Sequence, residues 1–357
     1  MESLIHLPLE ESKFDHTELL SGWESLAFAQ SFNVSSIKPA SSLAIEVMTG
    51  KVLPGVSRAC YSIAQVNALL HGAGSRSIGK IYFSDFYTTG LDALPYSRAK
   101  FQAFAYCSGQ TFDIHSKCQS HIAWMRLWEV MAMNVYAKVF VPCQELKELI
   151  LTALPGLDYE KIEVVGLPFD SAAVAKLCEL HHAPADEIDV VFTSSFNHEK
   201  NPRMFLDIVM ASPEFKFAIS TAHEELTGSD EAAVDLALRM EAKGRLKIYR
   251  NMSKGRYYAV LSRSRVIFNC AIQEWVGYTL LEALTFGCVP LYPNYRSFPD
   301  ALMQSSENLY APRNFEDAVA KLRVLLSREE LSFRYAQQVL NYHNGALASI
   351  AQTMKQI

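Results

Sequence analysis

Two carboxylates eight residues apart, Glu274 and Glu282, are the residues of this sequence best placed to do chemistry. They stand in QEWVGYTLLEALTFGCVP, residues 273–290. The apolar run before this segment predicts a strand ending at Cys270. A short loop then carries Glu274 and Gly277, and a helix is expected from Thr279 to Phe286. The first backbone N–H groups of a helix lack internal partners, and the helix dipole adds partial positive charge there, so such an end is a natural seat for a diphosphate. Gly277, without a Cβ, lets a ligand approach its backbone closely. Carboxylates cannot hold a phosphate, but they accept hydrogen bonds from hydroxyls, as on a sugar and a ribose. Thr279-Leu280-Leu281-Glu282 also reads as a capping box, in which Glu282 only satisfies the helix start.

The surrounding pattern must position that segment. Strands are expected at Leu4–Leu7, Leu43–Met48, Ile81–Phe83, Ala103–Tyr106, Val139–Val141 and Ile162–Val165, with helices at His16–Gln30, Tyr61–Leu70, Ile122–Tyr136 and Gln144–Leu154. The alternation restarts at Asp189–Phe192. It continues through Pro202–Met210, Lys216–Ser220, Asp230–Ala242, Leu246–Tyr249, Lys254–Ser262, Val266–Cys270, Thr279–Phe286 and Val289–Tyr292, with Phe315–Leu326 and Glu330–Ile357 as closing helices. Alternating strands and helices imply parallel sheets with crossover helices, hence two Rossmann-like α/β domains facing each other across a cleft, with ligands at the carboxyl ends of the strands. The expected domains are 1–170, acceptor-binding, and 186–340, donor-binding. The polar stretch from Pro168 to Glu187 is read as a linker, and a terminal helix at 340–357 packs back on the first domain.

Together, E-W-V-G-Y-T-L-L-E-A and the following Gly287 and Pro290 resemble the E-x7-E signature of retaining GT-B glycosyltransferases, the superfamily of sucrose synthase, glycogen synthase and many mannosyltransferases. Val276 stands where that pattern usually has Phe. The resemblance implies that Glu274 binds hydroxyls of the transferred sugar and Glu282 the ribose of a UDP- or GDP-sugar. Backbone N–H groups at Gly277, Tyr278 and Thr279 would hold the diphosphate. The second-half opening, VVFTSSFNHEKNPRMFLDIV, resembles the same family's first strand and loop. Lys200 matches its lysine, Ser195 occupies the place of its arginine, and Arg203 is a substitute cation from the next helix. A cation there would neutralise charge developing on the leaving diphosphate. The resemblance thus implies metal-independent transfer with no cofactor beyond the donor substrate.

By the same resemblance, the loop around Arg250 lies against the nucleotide base. Residues 243–265 carry eight cations and no carboxylate, while the whole chain has 33 Lys and Arg against 38 Asp and Glu, a net charge of −5. That balance excludes a general nucleic-acid coat protein but leaves one basic window, which suits either a phosphate-rich acceptor or a solvated helix face. For the acceptor side, Asp85 follows one strand. Ser108, Gln110, Asp113 and His115 follow the next. Asp85 or Asp113 would serve as a base only in an inverting enzyme; otherwise these are turn and cap residues. HLPLEESKFDHTELLSGWE, FSDFYTTGLDALPY and NCAIQEWVGYTLLEA resemble glycosyltransferases carried by tailed phages, which implies a hydroxymethylated base in double-stranded DNA as the first acceptor, flipped from the stack. TLLEALTFGCVPLYP resembles the tRNA-queuosine mannosyltransferase, so modified tRNA stands beside glycan and lipid-linked sugar as alternatives. A nucleotide-sugar 2-epimerase and a non-catalytic binding module are the readings from other classes.

Half of the 357 residues are hydrophobic, ample for two cores. Seven cysteines, none in C-x-x-C, argue against a disulfide framework or zinc site and fit a reducing cytoplasm, that of a host if the gene is a phage's. His181 and His182 lack spaced partners for a metal. HGAGSRSIG, 71–79, reads as a loop, and the Trp and Met residues of Ile122–Tyr136 as helix core. No apolar run reaches the ~18 residues of a spanning helix, and no signal peptide is visible.

Overall fold

The computed structural model describes residues 1–8, 17–38, 56–73, 79–86, 91, 94, 101–109, 122–272 and 274–357. Two compact units emerge: Met1–Pro168 with Gly345–Ile357, and Phe169–Asn344.

Among the described residues, the first unit has a parallel sheet of six strands: β1 (Ser3–Leu7), β2 (Asn33–Ser36), β3 (Lys80–Phe83), β4 (Gln102–Tyr106), β5 (Tyr136–Val141) and β6 (Ile162–Val164), in the order β2-β1-β3-β4-β5-β6. Helices α1 (Thr17–Ala29), α2 (Val56–Ala73), α3 (Ile122–Val135) and α4 (Gln144–Ala153) belong to its connections. Strand β2, NVSS, has no apolar run, so its sequence gives no signal; it sits at the sheet edge, paired with β1. The expected strand Leu43–Met48 lies outside the described residues.

The second unit repeats the architecture. Its strands are β7 (Ile188–Phe192), β8 (Phe217–Ser220), β9 (Lys247–Tyr249), β10 (Ser264–Phe268), β11 (Val289–Pro293) and β12 (Leu309–Tyr310), ordered β12-β11-β10-β7-β8-β9, with every pairing parallel. The order reverses between β7 and β10, and the crevice at such a switch point is where open α/β sheets bind ligands. The runs VVF, VIF and VPLYP are buried throughout, as strands covered on both faces must be.

The helices of this unit start and stop for local reasons. The short helix α5 (Ser171–Lys176) is capped by Asp170, whose side chain accepts from the Ala173 N–H at 2.9 Å. Residues 168–187, polar enough to suggest a linker, therefore fold within the second unit from Phe169 onward. Pro202 opens α6 (Pro202–Ala211), where its missing N–H costs nothing. Phe205 of α6 stacks on Phe192 of β7 with ring centroids 4.7 Å apart. Burying such a ring stabilises by roughly 1.5–3 kcal/mol, and it anchors the loop between the two elements. Asp230 caps α7 (Glu231–Ala242), and Ser253 caps α8 (Lys254–Leu261). Helix α9 (Tyr278–Thr285) ends in a Schellman turn. Gly287 takes φ 81°, its N–H reaches Leu284 O, and the Cys288 N–H reaches Ala283 O. Asn314 caps α11 (Phe315–Leu326), which follows the short α10 (Phe298–Ala301).

The closing stretch, expected as one helix over Glu330–Ile357, is two: α12 (Ala336–Asn344) and α13 (Ala346–Gln356), interrupted at Gly345. The interruption coincides with the return of the chain to the first unit. There α13 packs on α1, Thr353 donates to Glu163 Oε1 at 2.8 Å, and Gln102 donates to Ile357 O at 3.2 Å. Among the described residues, no helix is long and apolar enough to cross a membrane.

Candidate functional site

Two loops leave the carboxyl ends of neighbouring strands in the second unit and meet at its switch point. After β7, a 3-10 turn at His198–Lys200 delivers Lys200, followed by Asn201 in the left-handed region at φ 48°. After β10 come Asn269, Cys270 and the Glu274 loop. The two loops are bonded together: the Ile272 N–H donates to Glu199 O at 2.9 Å, and the Cys270 thiol donates to Asn201 O at 3.1 Å. Burial pushes that thiol's pKa well up, so it stays protonated and able to donate.

Lys200 Nζ lies 3.3 Å from Glu274 Oε2, with both side chains 17% exposed. The same oxygen accepts from Asn269 Nδ2 at 3.2 Å. Asn269 is itself fixed, its Oδ1 accepting from the Ala271 N–H at 2.8 Å and its backbone O from the Tyr310 hydroxyl at 2.7 Å. Tyr292 is buried nearby. Burial first, and the Glu274 charge second, push its hydroxyl pKa well up, so it presents a neutral phenol.

Gly277 is the N-cap of α9, in extended conformation at φ −87°, and as a glycine it supplies no side-chain cap of its own. The first N–H groups of a helix are the part of it suited to an anion. A methyl at Gly277 would collide with Glu274 Oε1, so glycine is needed to bring the carboxylate beside the helix start. Tyr278 and Thr279 occupy the first turn and are half-buried. The capping-box alternative for Glu282 does not hold, because the helix begins one residue earlier than expected and Glu282 is engaged elsewhere. Its carboxylate is fully buried. Oε1 accepts from the Tyr258 hydroxyl at 2.9 Å and Lys254 Nζ at 3.3 Å, and Oε2 from the Tyr257 hydroxyl at 3.1 Å. Burial, then the Glu282 charge, raise both tyrosine pKa values far above the ordinary phenol.

The structure brings Lys200, Glu274, Gly277, Tyr278 and Thr279 together, with Glu282 one turn further along α9. Ser195 is exposed in the β7 loop and accepts from Asn197 Nδ2 at 3.1 Å. Arg203 points along its own helix to Asp207 at 3.0 Å and is 54% exposed. Arg250 is held bidentately by Glu241, at 2.8 and 2.5 Å, and is thereby committed to the α7–β9 connection. The Glu241 hydrogen bond raises the guanidinium's pKa.

The basic window is also less open than its sequence suggests. Arg250, Lys254, Arg256 and Arg265 stand within ion-pair distance of Glu241, Glu282, Glu179 and Asp189, all from outside the window. Glu179, His181 and His182 approach one another, with Glu179 and His182 paired at 3.0 Å. The pair is local, three residues apart on one short turn, so Glu179 was a partner the sequence offered to His182. Arg256 already lies 3.9 Å from Glu179 and 3.5 Å from His182.

In the first unit, Asp85 follows β3 and is half-buried, and Ser108 is exposed beyond β4. Gln110, Asp113 and His115 lie outside the described residues. Just before Asp85 the structure shows a buried polar cluster that no sequence motif announced. His6 Nε2 stands 2.9 Å from Glu24 Oε2 and 3.0 Å from Ser84 Oγ, and Ser84 donates to the same glutamate oxygen at 2.5 Å. It joins β1, α1 and the end of β3. In the second unit Asn269 was not foreseen, and Lys254, Tyr257 and Tyr258 stood in the basic window without an individual role. For Asn269 the signal was available: a polar residue directly terminating an apolar strand.

Residues 179–341 match the family model of glycosyl transferases group 1. A tRNA-queuosine alpha-mannosyltransferase of Drosophila melanogaster is 23% identical over 164 residues, which span 43% of this chain and 42% of that protein. The alignment thus covers less than half the length of that curated relative. Sucrose-phosphate synthase from Thermosynechococcus elongatus superposes with a TM-score of 0.73 at 11% identity, covering 100% of this chain and 98% of that one. Anabaena HepE in complex with UDP-glucose superposes with a TM-score of 0.66 at 12% identity, covering 100% and 99%. The chain has the GT-B fold, two Rossmann-like α/β domains, and most of its second unit is similar to the glycosyl transferases group 1 family.

Proposed function

We propose that this protein is a glycosyltransferase that moves a hexose or pentose from a UDP- or GDP-sugar to a hydroxyl acceptor with retention of configuration. One observation carries the assignment: Lys200 and Glu274 are paired beside the N-terminus of α9, at the switch point of a unit that matches glycosyl transferases group 1. Glu274 orients the sugar by accepting from its hydroxyls. Lys200 and the N–H groups of Gly277, Tyr278 and Thr279 hold the diphosphate and neutralise the charge that grows on it as the glycosidic C–O bond breaks. That neutralisation is assigned to protein groups rather than to a metal. The acceptor oxygen forms its bond to the anomeric carbon on the face the diphosphate leaves. Its proton passes to a departing phosphate oxygen, so no protein base is required. Glu282, one turn along α9, is assigned to the ribose. The UDP-glucose bound to Anabaena HepE supports a nucleotide sugar as donor.

The acceptor is assigned to the first unit through Asp85 and Ser108. A hydroxymethylated base in DNA is the first acceptor proposed. Modified tRNA is the second, favoured by the likeness over 164 residues to the Drosophila tRNA-queuosine alpha-mannosyltransferase. The test is incubation with UDP- and GDP-sugars and either hydroxymethylated DNA or queuosine-containing tRNA, followed by mass spectrometry of the nucleosides. A mass increase of one sugar on one substrate identifies the acceptor. Donor isomerisation without transfer indicates an epimerase, and donor binding without turnover a binding module; either result overturns the assignment.

A further inference from the structure

Resting on the nucleotide-sugar assignment above, we propose that Lys254 is a second diphosphate-binding cation, held on Glu282 until the ribose hydroxyls take over that carboxylate and release it to the diphosphate. A diphosphate bridge carries one negative charge per phosphate, so a single lysine and a helix dipole leave it undercompensated. Among the other cations near the start of the unit, Arg203 is turned to Asp207 and Arg250 is locked on Glu241. Lys254 is placed differently. It opens α8, and its Nζ lies 3.3 Å from Glu282 Oε1, which is fully buried, while the lysine itself is 26% exposed.

Side chains on a helix lean toward its N-terminus, so the Glu282 carboxylate covers the turn before its own Cα, the turn of Tyr278 and Thr279. An ammonium bound to that carboxylate is therefore on the N-terminal side of Glu282, toward the end of α9 assigned to the diphosphate. Glu282 keeps two further donors, the hydroxyls of Tyr257 and Tyr258, so releasing the lysine does not strip the carboxylate bare. The arrangement also parallels Lys200 on Glu274. Each hydroxyl-binding carboxylate has one lysine beside it, and neutral sugar hydroxyls replacing both lysines would free two cations for two phosphates.

The test is calorimetric binding of uridine, UMP and UDP, and of guanosine, GMP and GDP, to wild type, Lys254→Met, Lys254→Arg and the double variant Lys254→Met/Glu282→Gln. The double variant removes the buried charge that Lys254→Met alone would leave without its cation. In the series that wild type binds, Lys254→Met should weaken the diphosphate by about tenfold, the scale of one charge-assisted hydrogen bond, and leave the nucleoside unchanged or tighter. Lys254→Arg should retain most of the diphosphate affinity. In the double variant the preference for diphosphate over nucleoside should be reduced as in Lys254→Met. Equal weakening of nucleoside and diphosphate, or an unchanged diphosphate preference, overturns the role of Lys254 while leaving the donor site standing. Failure of wild type to bind either nucleoside diphosphate overturns the donor assignment itself, and this role with it.

Discussion

Lys200 and Glu274 come from loops 74 residues apart in the chain, yet their charged ends meet at 3.3 Å beside the start of α9. The pair exists because α6, with Pro202 at its first position and Phe205 stacked on β7, fixes one loop, while Asn269 fixes the other. Replacing Lys200 by alanine should leave the fold intact, since the lysine stands in a loop and Glu274 keeps the Asn269 amide as a donor. It should lower the turnover of nucleotide release from the preferred donor by roughly 10²–10³-fold, the scale of removing one group that stabilises a developing oxyanion. Glu274→Gln should instead raise the donor KM and lower turnover together, because the amide no longer offers two acceptors to the sugar. Wild-type turnover in Lys200→Ala would show that the pair is structural.

Gly277 offers a sharper steric test. Its backbone is in an ordinary extended conformation, so alanine is not strained there. The added methyl would, however, occupy the space of Glu274 Oε1. Gly277→Ala should melt within a few degrees of wild type but bind the donor at least about tenfold more weakly, a penalty of about 1.4 kcal/mol. Retained donor affinity in titration calorimetry would mean that the carboxylate does not work from its observed position.

Sequence pattern went far toward the sheets and only part of the way into the site. The buried parallel strands VVF, VIF and VPLY announce themselves as apolar runs, and the Gly287 turn and the Glu274–Gly277 loop by their punctuation. Strand β2 stayed silent because NVSS is an edge strand with no apolar face to display. Arg250, Lys254, Arg256 and Arg265 looked like an open basic surface because the window contains no acid. Their partners Glu241, Glu282, Glu179 and Asp189 arrive from other elements, which no local spacing encodes. The same holds for His6, Glu24 and Ser84, joined only when β1, α1 and β3 assemble.

Glu282 combines a binding role with a packing role, and the two separate by substitution. Glu282→Leu leaves the hydroxyls of Tyr257 and Tyr258 without their acceptor, and each buried hydroxyl so orphaned costs roughly 1–3 kcal/mol. Glu282→Gln keeps one acceptor oxygen and should lose about half as much. Tyr258→Phe, which deletes one donor but leaves Glu282 with Tyr257 and Lys254, should cost about 1 kcal/mol. Denaturant titration of the three variants should therefore rank them Leu, Gln, Phe in decreasing loss. A Glu282→Leu variant as stable as wild type would contradict the observed hydrogen bonds.

The pair Glu241–Arg250 gives the second unit a pH dependence of known sign. Two guanidinium hydrogen bonds hold the Glu241 carboxyl below its ordinary value of 4.5. A carboxylate depressed in the folded state contributes stability that is fully present above the unfolded value and is lost as pH falls through the folded one. Glu241→Gln removes that contribution, on the order of 1 kcal/mol for a partly exposed pair. The melting temperatures of wild type and variant should therefore differ most above pH 4.5 and converge on acidification below it. Arg250→Gln should reproduce the convergence, because it removes the cause of the shift rather than the titrating group. A gap between wild type and Glu241→Gln that stays constant from neutral pH into the acid range would mean that the carboxylate is not held by Arg250 in solution.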